Sequence, residues 1–177
     1  MSDRETTYRV PWKWRIGILF ISLLFAGIFL GATTEFREAL FVQPVRAAIF
    51  QAKSLEAIGP IHDEIRRESW LGNLYAILGL LVALGLPLAA ALLSRFVKTR
   101  RMLLGGMVGA GFFCGVFLAA IYAVAHRLVL PGGLQDPKYL PALVVSLIFI
   151  SLFDGLLVGA ITQRVGFAPP PPPAARS

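Results

Sequence analysis

Four apolar blocks, each about as long as a bilayer's hydrocarbon core is thick, constrain this chain more than any other feature. They cover residues 16–34, 70–93, 102–125 and 139–163. At 1.5 Å of rise per residue, roughly 20 helical residues cross a core about 30 Å thick. In lipid every backbone N–H and C=O has to be paired within its own element. Blocks of this length therefore fold as α-helices, since a barrel would need alternating strands of about ten residues. The expected fold is all-α, an integral membrane four-helix bundle. Composition agrees: only 15% of the 177 residues are charged, against about 25% in soluble domains.

The flanks of the blocks predict which way they run. Trp12, Lys13, Trp14 and Arg15 stand just before the first block, where amphipathic rings and snorkelling cations suit a headgroup layer. This block is longer than a signal-peptide core of about 7–15 residues and no A-x-A-like site follows, so it is expected to stay as the first span. Between blocks two and three, Arg95, Lys98, Arg100 and Arg101 carry four positive charges with no acid among them. Short basic loops stay in the cytoplasm. With an even number of spans, both termini fall on that side, and ten of the 17 Lys and Arg residues with them. The expectation is a multi-pass protein of a plasma or inner membrane. Its cytoplasmic tails are residues 1–15 and 164–177, and its membrane domain is residues 16–163. The net charge of +7 is explained by this orientation rather than by nucleic acid, because the basic residues form no extended stripe.

The connection after block one is long and patterned. From Pro44, apolar Val45, Ala48, Ile49, Ala52 and Leu55 recur at helical spacing, with Arg46, Lys53 and Glu56 on the other side. Proline suits a first helical turn, and Gly59-Pro60 reads as a stop. The pattern predicts an additional amphipathic interfacial helix over residues 44–58 between spans one and two. His62 to Glu68 then reads as a solvated helical lead into span two. The second outer connection holds Pro131-Gly132-Gly133 and reads as turns. Pro169 to Pro173 read as a polyproline rod.

One residue in the apolar blocks carries a charge that the bilayer resists. Asp154 sits deep in span four, where an ionised side chain costs roughly 2.5–3.5 kcal/mol on insertion scales. Depth counting sets Ser22, Gly85 to Pro87 and Gly111 to Cys114 at its level. No Lys or Arg shares that level, so an ion pair within the chain is unavailable. Pro87 predicts a kink in span two and leaves the carbonyl of Ala83 without its helical donor. A neutral Asp154 could then serve as an intramembrane polar contact, within the bundle or to a partner chain, or as a proton site.

Glycines form the second pattern. Gly27/Gly31, Gly105/Gly109, Gly111/Gly115 and Gly155/Gly159 are each spaced one turn apart, which lets helix backbones approach closely. They are expected to be helix-packing residues. Groups for chemistry are sparse. The lone cysteine, Cys114, excludes an internal disulfide and a cysteine-ligated metal. His62 and His126 fall near the outer surface, away from any haem-like mid-membrane position. No phosphate-binding loop, metalloprotease or hydrolase motif occurs. The expectation is a non-enzyme with no cofactor and no metal. Its partners are the lipid bilayer and a membrane protein or a second copy of itself, and it serves as a structural or accessory subunit of a larger membrane assembly. The alternative is a small transporter or channel component that uses Asp154 to bind a proton or cation.

Overall fold

The computed structural model describes residues 10–52, 54–94, 96–97, 99–130 and 137–166. Both Pro131–Gly133 and Pro169–Pro173 lie outside the described residues, as do Arg95 and Lys98. Among the described residues the chain is all helical, without strands. Four helical stretches are long and apolar enough to cross a membrane: Trp12–Gln51, Ile58–Leu93, Arg100–Val129 and Tyr139–Val165.

Helix α1 spans Trp12–Arg37 and opens directly after Pro11, whose fixed φ suits an entry position. It does not end where lipid-spanning length is reached. A π-helical turn, Glu38–Val42, joins it to α2, Gln43–Gln51, with right-handed helical dihedrals at both junctions. Pro44 supplies a reason for the wide turn. Its ring would collide with the carbonyl of Leu40 in a plain α-helix, and a turn with i→i−5 bonding moves that carbonyl aside. The wider turn also holds Thr33, Arg37, Phe41 and Val45 on the side that packs against the bundle, where Thr33, Phe41 and Val45 are buried and Arg37 is half-buried.

Helix α3 spans Leu55–Leu93 and runs straight through Gly59-Pro60. This corrects the expected boundaries: residues 44–58 are not one segment, and Gly59-Pro60 is not a stop. The break falls instead at Ala52, which turns to an extended conformation. Pro60 is the sixth residue of α3, so the carbonyl it crowds and leaves unpaired, that of Glu56, lies in the helix's first turn. The lead from His62 to Glu68 is also corrected in part, since Glu68 is only 4% exposed.

Helix α4 spans Arg100–Val129 and is capped by Thr99, whose side chain accepts from the Met102 N–H at 3.3 Å. Helix α5 spans Tyr139–Gly166, with Pro141 in its first turn. The four long helices alternate in direction. The most extensive interface is between α4 and α5, while α1 packs on α3 and α5, and α3 reaches all three others. The core between them is built from Leu71, Leu78, Val82, Met107, Leu143, Leu147 and Ile150, all buried. Phe20, Leu24, Ile28, Phe113 and Phe117 face outward, as they do on helices solvated by lipid tails.

Candidate functional site

Two polar clusters lie inside the bundle, one at mid-depth and one at the end where α1 meets its π turn. The first is centred on Asp154, which is 0% exposed. Its Oδ2 lies 2.6 Å from the Ser22 hydroxyl of α1, and the same hydroxyl lies 2.9 Å from the carbonyl of Ala83 in α3. Ala83 is the residue whose carbonyl Pro87 strips of its helical donor. Three helices thus meet at one hydroxyl.

Proton counting decides how the three are bonded. Ser22 has one hydrogen to give, and the carbonyl of Ala83 can only accept. If Ser22 donates to Ala83, the short contact to Asp154 needs a hydrogen from the acid. Asp154 then donates to Ser22, and Ser22 donates to Ala83. An ionised Asp154 would take the Ser22 hydrogen for itself and leave the Ala83 carbonyl bare in the core. It would also bury a charge whose other oxygen, Oδ1, has no hydrogen-bond partner among the described residues. The neutral acid fits this arrangement, and the carboxylate does not.

Glycines surround this point. A Cβ on Gly155 would stand 2.6 Å from the Met107 carbonyl oxygen, and one on Gly111 would strike the carbonyl of Ser151. Helices α4 and α5 therefore touch backbone to backbone beside Asp154, which only glycine permits. Gly115 and Gly159 lie in the same seam: a Cβ on the first would come 2.9 Å from Ser151 Cβ, and on the second 2.9 Å from Met107 Cβ. The other two pairs are different. Gly27, Gly31, Gly105 and Gly109 have nothing within 4 Å of a built Cβ. They open outward from α1 and α4.

The second cluster was not singled out by sequence. Arg37 of α1 makes a two-pronged pair with Glu68 of α3, Nε to Oε1 at 2.8 Å and one terminal nitrogen to Oε2 at 2.9 Å. Tyr139 of α5 donates to Glu68 Oε1 at 2.6 Å. Both oxygens of the buried carboxylate are thereby occupied, which is the condition under which a buried charge is tolerated. Gly72 makes room for the arrangement, since a Cβ there would stand 2.9 Å from the Arg37 guanidinium. Around it, Tyr139 packs on Phe41 at 5.6 Å between ring centroids and on His126 at 5.8 Å. Tyr122 stands edge-on to Tyr75 at 5.4 Å. Ser146 gives its hydrogen to the Leu143 carbonyl at 2.9 Å, so Tyr75 is the donor in the Tyr75–Ser146 bond.

His126 is buried within these rings, whereas His62 is exposed on α3. Cys114 is half-buried in α4. Among the described residues, no three His, Cys, Asp or Glu side chains come close enough together to hold a metal ion. The mid-depth cluster can hold or release one proton. The cluster at the π-turn end is a filled ion pair that ties three helices. Comparison with family models, with curated proteins and with solved structures found no match.

Proposed function

We propose that this chain is a non-catalytic structural or accessory subunit of a larger membrane assembly, with both termini in the cytoplasm. The observation that carries the reading is how its groups are used. The two buried carboxyl groups are engaged inside the bundle: Asp154 with Ser22, and Glu68 with Arg37 and Tyr139. Meanwhile the Gly27/Gly31 and Gly105/Gly109 faces are left smooth and uncovered, the kind of surface on which another transmembrane helix packs closely. The orientation rests on the basic connection between spans two and three.

Extraction in mild detergent followed by native-gel analysis tests this. The chain should migrate in fixed stoichiometry with another membrane protein or with copies of itself, and Gly31→Leu or Gly109→Leu should release it while leaving the bundle folded. Migration of the native chain as a lone monomer overturns the reading.

A second reading is favoured by one feature, the unpartnered Oδ1 of a fully buried carboxyl. In it, Asp154 binds a proton or cation during transport. Proton flux into vesicles containing the purified chain should then vanish in Asp154→Asn. Flux absent from the native chain, or unchanged in the variant, removes that reading.

A further inference from the structure

The end of the bundle where α1 and α4 begin and α5 finishes carries only positive charge among its described residues. Registry along the helices sets these charges at one level. Gly159 of α5 stands beside Leu104 and Met107 of α4, so continuing along the antiparallel pair brings Arg164 level with Arg100 and Arg101. Ser22 is level with Asp154, and Lys13 and Arg15 lie about two turns further towards the same end. Lys13, Arg15, Arg100, Arg101 and Arg164 are all exposed. No described Asp or Glu lies nearer this end than Asp154, which is buried at mid-depth. The cations also stand at the positive end of α4, whose first turn contains no acid.

The surroundings of the rim choose its occupant. Trp12 and Trp14 are 67% and 49% exposed and sit among the cations, while Ile16, Phe20 and Met102 are exposed on the adjoining lipid-facing surface. Positive charge and indole at one level, with aliphatic surface below them, match the headgroup and acyl layers of a phospholipid. We propose that this basic rim binds the headgroups of anionic phospholipids, with Lys13, Arg15, Arg101 and Arg164 as the principal contacts to phosphate. An acidic segment of a partner protein would meet the charge but would leave the indoles and the aliphatic surface below them without a counterpart. The inference rests on the membrane reading of the helices and needs no protein partner.

The three tryptophans allow a direct test, because Trp12 and Trp14 mark the basic end and Trp70 the other. The full chain is placed in nanodiscs of phosphatidylcholine with phosphatidylglycerol, with either lipid brominated on its acyl chains at the same mole fraction. In Trp70→Phe, brominated phosphatidylglycerol should quench the two remaining tryptophans at least about two-fold more than brominated phosphatidylcholine. In Trp12→Phe/Trp14→Phe, Trp70 should show no such excess. Arg101→Gln with Arg164→Gln should cut the excess at the basic end by about half or more. Equal quenching by the two lipids at that end, an equal excess at both ends, or an excess untouched by the arginine changes overturns the proposal. Quenching by brominated phosphatidylcholine at both ends separately reports that the chain is embedded in lipid, so failure of the membrane reading is told apart from failure of the lipid preference.

Discussion

Ser22 has one hydrogen and two oxygens competing for it, and that shortage makes it the most sensitive small residue in the bundle. Ser22→Ala leaves the Asp154 hydroxyl without an acceptor and the Ala83 carbonyl without a donor, both inside the core. Membrane hydrogen bonds average about 0.6 kcal/mol, but two orphaned groups cost more than one bond. The expected loss is about 1–2 kcal/mol of unfolding free energy, read by steric trapping or by denaturation in micelles. Asp154→Asn keeps a donor for Ser22 and should stay near the native stability. Asp154→Leu should fall with Ser22→Ala, and the pair combined should lose less than the sum, because they break one shared chain. At the other cluster, Glu68→Gln leaves the half-buried Arg37 without its anion. A loss of about 1–3 kcal/mol is expected, and Tyr139→Phe should add little in the Glu68→Gln background.

At the scale of elements, the seam between α4 and α5 and the open glycine faces respond oppositely to one methyl group. Gly155→Ala drives a Cβ into the backbone of Met107, where neither side can give way cheaply. It should cost about 1–3 kcal/mol and loosen the bundle, visible as faster cysteine modification at Cys114. Gly27→Ala and Gly105→Ala meet nothing and should leave the stability of the isolated chain unchanged. Four apolar blocks of bilayer length are a signal that no local rule competes with, so the spanning helices were legible. Helix ends were not. Pro44 and Gly59-Pro60 are ordinary boundary marks, yet a π turn absorbs the first and a position near the start of α3 tolerates the second. The mid-depth cluster could be approached by counting residues, because Ser22, Ala83 and Asp154 share a level and helix rise is fixed. The cluster at the π-turn end could not. Arg37 and Glu68 are 31 positions apart, and nothing nearby marks which of several charged residues turns inward.

Across the whole molecule, charge is segregated along the helix axes. One end holds cations without described acids, and the other holds mixed charge with its main ion pair part-buried. In a Cys114→Ala background, a cysteine at Ser54 should react with a membrane-impermeant maleimide added to intact cells, and one at Ser177 only after the cells are opened. Reversal of that pattern would invert the orientation proposed above.

The passage from α1 through the π turn into α2 has a mechanical consequence. Trp12–Gln51 runs for 40 residues without a break, or roughly 60 Å, about twice the thickness of a hydrocarbon core. Such a rod is a lever, and the Asp154–Ser22 contact lies about a quarter of the way along it. A tilt of about ten degrees at that fulcrum sweeps Phe50, 88% exposed near the far tip, through roughly 7 Å, because the arm from Ser22 is about 42 Å long. Motion at the tip is carried back along the same rod, through the Arg37–Glu68 pair, toward the buried acid.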